Sequence, residues 1–246
     1  MKKCAFIPVE DRLYYPEGAH IAVNSFKRFH PDIDLIVFRQ DVVDKLFKEK
    51  GINWYNAKPF FAELLEDKYD LIVNMDADHV VIGRMTEVFD KVDYDVAFPW
   101  NFNDYENASF EGITEDMYLQ AGMVASTNRL FWKTWREANK DAMKYLRKEN
   151  DIVNLVVYNQ MATCDLKILD KKKDYYGCKS LGREPEFWIN EKGETICRDE
   201  KVVAYHFARG GQFPKLDFPN MPLIDEVKKR WDEIATYGQS VKITSI

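Results

Sequence analysis

The stretch LIVNMDADHVVIG, residues 71–83, decides how this chain is read. It is an apolar run of the kind that forms a buried strand, yet it carries Asp76 and Asp78, two carboxylates one residue apart. Burying ionised carboxylates without a partner costs on the order of several kcal/mol or more. In an extended chain, side chains two residues apart point to the same side, so the pair can aim at one point beyond the carboxyl end of the strand. Open α/β sheets bind ligands there. A divalent cation at that point would be a fitting partner, because Asp-Ala-Asp offers hard oxygen ligands suited to Mg²⁺ or Mn²⁺, ions that share carboxylates with substrate phosphates. A solvated pair at a strand-to-loop turn is the other reading of these two residues alone.

Outward from this stretch, strand-like and helix-like patterns alternate, which predicts an α/β fold with a mostly parallel, Rossmann-like sheet flanked by helices. Residues 4–9 (CAFIPV) and 34–39 (DLIVFR) read as the first two strands. Between them Ile21, Ala22, Ser25, Phe26 and Phe29 lie near helical spacing. DVVDKLFKEKG (41–51) reads as a short helix closed by Gly51, and Pro59 suits the first turn of a helix over 59–65. Residues 94–100 and 119–127 are strand candidates, and the polar, aromatic stretch 101–118 between them reads as a long loop of the kind that carries function. Asn128 caps a helix whose stripe is Phe131, Trp135, Ala138, Ala142 and Tyr145. A further helix is expected over 151–162, strands at 166–170 and 201–207, and a C-terminal amphipathic helix at about 222–237. No repeat or interdomain linker is visible, so residues 1–246 are expected to form one catalytic domain.

The composition, 46% hydrophobic and 31% charged, is that of a folded chain. The 14% aromatic share suits either a large core or surfaces that stack on bases and sugars. The net charge is −6 with both signs interspersed, so no basic stripe points to nucleic acid. The start MKKCAFIPVEDRLYY has too short an apolar run for a signal peptide, and no later run reaches the ~18 apolar residues of a membrane span. A cytoplasmic protein without a membrane span is the expectation. Cys4, Cys164, Cys178 and Cys197 are scattered without a CxxC pair, as reduced structural thiols would be.

An ordered set of pieces carries a family resemblance. These are IPVEDRLYYPEGAHIAVNSF (7–26), KPFFAELLEDKYDLIVNMDADHVVIGRMTEVF (58–89), QAGMVAST (120–127) and YHFARGG (205–211). Together they resemble the nucleotide-sugar-dependent glycosyltransferases of the GT-A fold, most nearly the family 8 group that contains glycogenin and bacterial galactosyltransferases. The resemblance implies a metal-dependent transfer of a hexose from a nucleotide sugar, with UDP as the expected nucleotide, to a hydroxyl of a carbohydrate or related acceptor. In that pattern Asp76, Asp78 and His206 hold the metal, with Ala77 between the carboxylates, and an imidazole beside carboxylates favours Mn²⁺ over Mg²⁺. Lys58, Arg209, Gly210 and Gly211 approach the diphosphate. Glu10, Asp11, Tyr14 and Tyr15 match the base-binding corner, and Gln120, Ala121, Gly122, Asn159 and Gln160 lie near the transferred sugar.

Two departures from the family pattern stand out. The acidic residue of its DQ pair is replaced, leaving YNQ at 158–160, and its KPW is replaced by QFPKLDFP (212–219), where Lys215 is the basic residue within reach of the phosphates. An amide cannot supply an ionised group beside the anomeric carbon, so both stereochemical courses stay open. An inverting enzyme needs a carboxylate to deprotonate the acceptor. The 101–118 loop offers Asp104, Glu106, Glu111, Glu115 and Asp116, and Asp104, just beyond a strand end, is the favoured one. A nucleotidyltransferase, a haloacid-dehalogenase-type phosphatase and a non-catalytic nucleotide-sugar-binding module are the competing readings.

Overall fold

In a computed structural model of the chain, the described residues are 1–9, 15–52, 56–99, 113–114, 117–142, 149–169, 175–178, 187–192, 194–197 and 200–207. Six strands, β1 (Lys3–Pro8), β2 (Asp34–Phe38), β3 (Leu71–Met75), β5 (Val96–Pro99), β6 (Met123–Ser126) and β7 (Leu166–Leu169), form the main sheet. Their order is β2-β1-β3-β6-β5-β7, and only β6 runs against the others. Two three-stranded sheets accompany it. One is built from β4 (His79–Val81), β12 (Ala204–Phe207) and β8 (Tyr175–Cys178), the other from β11 (Glu200–Lys201), β10 (Thr195–Cys197) and β9 (Phe187–Ile189).

The period of two along each central strand divides the core into two layers. Cys4, Phe6, Ile36, Phe38, Ile72 and Val124 face one cluster, packed by α2 (Gln40–Lys50), α3 (Lys58–Glu63), α5 (Arg129–Ala142) and α6 (Glu149–Leu155). Their neighbours Ala5, Ile7, Val37, Leu71, Val73 and Ala125 face the other, packed by α1 (Tyr15–Phe29) and α4 (Thr86–Phe89). A sheet covered on both faces buries its strands at every position, which is why residues 71–75 show no polar alternation and carry a single polar residue, Asn74. Part of the aromatic share goes into this core: Trp132, Trp135, Tyr118 and the eight phenylalanines Phe6, Phe26, Phe38, Phe60, Phe61, Phe89, Phe98 and Phe131 are the largest fully buried side chains among the described residues.

Local chemistry sets the ends of the helices. Gly51, at φ 67°, adopts the left-handed conformation that closes α2. Asn128 Oδ1 accepts the Leu130 N–H at 2.9 Å, so it caps α5 as its sequence position predicts. Cys4 and Cys164 are free thiols, and burial pushes the Cys4 thiol up. No helix among the described residues is long and apolar enough to cross a membrane.

Several boundaries differ from the sequence reading. The strand expected across 71–83 stops at Met75, and His79–Val81 belongs to a different sheet. The strands expected at 94–100 and 119–127 are confined to Val96–Pro99 and Met123–Ser126. The helix expected over 151–162 begins at Glu149 and widens into a π-helical segment, Val156–Gln160, closed by Met161 N–H donating to Val156 O at 3.0 Å. The single strand expected at 201–207 splits: Lys201 pairs with Ile196, whereas Ala204 pairs with Val81. Periodicity reports apolar runs, but it does not report which neighbour a backbone will pair with. Tyr145, most of the 101–118 loop and the 222–237 helix lie outside the described residues.

Candidate functional site

At the end of β3 the backbone turns instead of continuing. Asp76 N–H donates to Gly122 O at 2.8 Å, and His79 N–H donates to Asp76 O at 3.1 Å. This turn, rather than the alternation of an extended strand, sets the directions of Asp76 and Asp78. The chain then enters β4, which pairs antiparallel with β12 in a register that places His206 directly across from His79. His206 therefore reaches the turn: its Nε2 lies 3.1 Å from Asp78 Oδ1 and 3.8 Å from Asp76 Oδ2. On the other edge of the ring, Nδ1 is hydrogen-bonded to the Gln120 carboxamide. The Gln120 amide nitrogen donates to Nδ1, so Nε2 carries the ring proton and directs it at Asp78, in the position that a bound cation would take over.

Lys58, the first residue of α3, is 6% exposed, so it is not a solvated surface charge. Its Nζ lies 2.7 Å from Asp76 Oδ1 and 3.0 Å from Glu149 Oε2, and it donates to Ala121 O at 3.0 Å. Burial works against the ammonium, but the carboxylates of Asp76 and Glu149 outweigh it and hold the Lys58 pKa above its usual value. Burial pushes the Glu149 carboxyl up to about 7 against the pull of Lys58. The Asp76 carboxyl is likewise raised by burial, with Lys58 opposing and Asp78 adding to the rise. For His206 burial disfavours the charged ring, yet Asp78 outweighs it and the pKa is raised.

Amide side chains fix the backbone around these groups. Asn150 Oδ1 accepts from Ala121 N–H at 2.9 Å. Asn154 bonds to both backbone groups of Leu119, at 2.9 Å each. Buried Asn74 reaches Ala121 O and Gly122 O at 3.4 and 3.5 Å. The start of β6 is thus tied to α6 on one side and to β3 on the other.

The donor set suits a divalent cation. Three carboxylates face one ammonium and one imidazole. Ligand atoms on neighbouring corners of an octahedron with bonds of about 2.1 Å stand about 3 Å apart; the His206–Asp78 separation of 3.1 Å falls at that spacing, and the His206–Asp76 separation of 3.8 Å is wider. Asp78, His79 and His206 also offer ligand atoms all within 4.8 Å of one another. Glu149 Oε1 and Asn74 Oδ1 are buried side-chain oxygens with no hydrogen-bond partner among the described residues. Asn74 is wholly buried, whereas the Glu149 side chain keeps 16% of its surface exposed.

Of the residues singled out by sequence, Lys58, Asp76, Ala77, Asp78, Gln120, Ala121, Gly122 and His206 come together here. Asn159 and Gln160 do not share these contacts; both are exposed at the end of the π-helical segment. Tyr15 begins α1. Glu10, Asp11, Tyr14, Asp104, Glu106, Glu111, Glu115, Asp116, Arg209, Gly210, Gly211 and Lys215 lie outside the described residues, as does the side chain of Tyr15. Sequence reading missed Glu149, Asn150, Asn154 and His79. The one available signal for the first three was an acidic helix start with asparagines four residues apart, in KENDIVN.

No family model and no curated protein matches the chain by sequence. Its structure is similar to that of the galactosyltransferase LgtC, solved in complex with donor and acceptor sugar analogs, at 14% identity, 97% coverage of each chain and a TM-score of 0.53. It is similar to the bifunctional glycosyltransferase WbbM at 16% identity and a TM-score of 0.54, covering 93% of this chain and 51% of that one. Mouse xyloside xylosyltransferase 1 matches at 11% identity and a TM-score of 0.52, over 85% of this chain and 98% of that one. The chain spans about half the length of some of the structures it matches, 46% and 51% in two cases. At such identities the likeness is one of fold, and the fold is GT-A: a mixed α/β, mostly parallel sheet flanked by helices.

Proposed function

We propose that the chain is a metal-dependent glycosyltransferase that moves a hexose from a UDP-linked sugar to a hydroxyl of a carbohydrate acceptor, as a single catalytic domain over residues 1–246. The observation that carries this reading is the meeting of Asp76, Asp78 and His206 at the carboxyl end of β3, in a fold similar to that of solved glycosyltransferases. Asp76, Asp78 and His206 would hold the cation, with Mn²⁺ preferred over Mg²⁺ because one donor is an imidazole. A divalent cation there would neutralise the charge that builds on the departing diphosphate. Gln120 orients the His206 ring, and Lys58 balances Asp76 and Glu149.

Glu149 answers the departure noted at residues 158–160. In this reading it supplies the carboxylate beside the transferred sugar, since it shares Lys58 with Asp76. The base contacts are assigned to Glu10, Asp11, Tyr14 and Tyr15, further phosphate contacts to Arg209, Gly210, Gly211 and Lys215, and deprotonation of the acceptor to Asp104 if the course is inverting. The free thiols of Cys4 and Cys164 suit a cytoplasmic setting.

Calorimetric titration of UDP into the protein tests the reading, with Mn²⁺ or with EDTA and with GDP and CDP as controls. Binding of UDP that requires Mn²⁺ is expected, and it should be lost in a folded Asp78→Asn variant. No UDP binding under either condition, or unchanged Mn²⁺ and UDP binding by Asp78→Asn, would overturn the site assignment. Release of pyrophosphate from UTP and a sugar 1-phosphate, in place of UDP from a nucleotide sugar, would mark nucleotidyl transfer instead.

A further inference from the structure

The imidazoles of His79 and His206 lie stacked, with centroids 4.2 Å apart and planes 9° from parallel. His79 is 3% exposed, and its Nδ1 lies 3.2 Å from Asp76 O, an arrangement in which Nδ1–H donates to the carbonyl. The stack follows from the register, because directly opposed residues in an antiparallel pair project from the same face. Gly122 closes on the same ring: a Cβ there would stand 2.5 Å from Cε1, 2.9 Å from Nδ1 and 3.1 Å from Nε2 of His206. Three such similar distances place that Cβ over a face of the ring rather than at its edge.

Although Asp78, His79 and His206 cluster closely enough to suggest three ligands, the stack argues against it. An imidazole nitrogen directs its lone pair in the plane of its ring. An ion bonded in the His206 plane would sit about 3.5 Å or more from the parallel His79 plane, given ordinary van der Waals spacing between rings. That exceeds a bond of about 2.1 Å to a hard divalent cation. The two rings cannot serve one ion without breaking the stack.

We propose that His79 is a positioning residue for the metal centre: it does not bind the ion, but its stacked ring, together with the bare Cα of Gly122, holds the His206 imidazole so that Nε2 faces Asp76 and Asp78. The inference rests on the reading of those three residues as the metal site. It gives a physical role to the histidine that follows the aspartate pair and explains why residue 122 must lack a side chain. Losing a group that orients a metal ligand costs about 10–100-fold in metal affinity.

Mn²⁺ binding to the full chain, followed by electron paramagnetic resonance without any substrate, tests this. Wild type should bind Mn²⁺ with one directly coordinated imidazole nitrogen in the pulsed spectrum. His79→Ala should weaken binding by about tenfold or more. His79→Phe retains a flat ring for the stack, so it should stay within about threefold of wild type and keep the single nitrogen. Two coordinated nitrogens in wild type, undiminished affinity in His79→Ala, or a His79→Phe variant with tenfold weaker binding would each overturn the inference while leaving the metal site standing. Absence of Mn²⁺ binding by wild type would overturn both. Should His79→Ala fail to fold, the nitrogen count and the His79→Phe affinity decide the matter.

Discussion

His30 lies fully buried between Phe26, whose ring is stacked on it at 4.6 Å, and Phe89 at 5.0 Å. Its Nε2 accepts the Met85 N–H at 3.0 Å, and its Nδ1 faces Phe26 O at 3.3 Å, so the neutral ring satisfies both neighbours. Burial, reinforced by Arg84, lowers its pKa from 6.5 to about 4. Above 6.5 the ring is neutral in both folded and unfolded chains and contributes no pH dependence. Between 6.5 and about 4 the unfolded chain takes up a proton that the folded chain refuses, so stability is lost as pH falls through this window. For one such group the slope approaches about 1.4 kcal/mol per pH unit. His30→Gln removes the titration and keeps an acceptor for Met85. Urea unfolding between pH 7 and 4 should give a shallower acid limb for this variant, even though lost packing lowers its stability at pH 7. An equally steep acid limb would show that other groups set it. His79, whose pKa burial also lowers, adds a contribution of the same sign, which is why His30, away from the candidate metal ligands, is the cleaner probe.

Among the elements, α5 depends most visibly on a single local contact. It carries Phe131, Trp132 and Trp135 into the core and ties itself to the loop after α3 through Arg136, whose Nη1 is 2.6 Å from Glu66 Oε1. Its entry is fixed by Asn128, whose side chain accepts from Leu130 N–H. Asn128→Ala should cost about 1 kcal/mol, and Asn128→Asp should recover most of it, because either side-chain oxygen can cap the first turn. A shifted urea midpoint with unchanged UDP and Mn²⁺ affinity would confirm that the effect is confined to the helix. The same attention to elements explains the site: β4 is only three residues long, yet its register with β12 decides that His206 meets the aspartates.

Across the whole molecule, the candidate site draws on residues from Lys58 to His206, carried by α3, the turn after β3, the approach to β6, α6 and β12. An unfolded chain cannot hold these groups together. A ligand that needs all of them therefore binds the folded state alone and stabilises it, by about 2.7 kcal/mol at 100 times its dissociation constant. Thermal unfolding should shift upward with Mn²⁺ and UDP together, and EDTA should remove the shift. Asp78→Asn should show no shift under the same conditions; a shift of wild-type size in that variant would mean that the ligand binds elsewhere.

The alternation of strands and helices, the two-sided burial of the sheet, the closing glycine of α2 and the cap of α5 were legible from sequence, since each rests on contacts between residues close together in the chain or on a simple period. The aspartate pair was legible because ionised groups beside an apolar run demand compensation, and Lys58 and His206 through the family resemblance. Only the tertiary structure decided that β3 ends at Met75, that the turn after it aims the carboxylates, and that Glu149 rather than Asn159 or Gln160 stands beside Lys58. It alone set His79 against His206. The physical reason is common to all of these. Strand register and the packing of distant helices are chosen by long-range backbone pairing and burial, and neither leaves a periodic mark on the residues that meet.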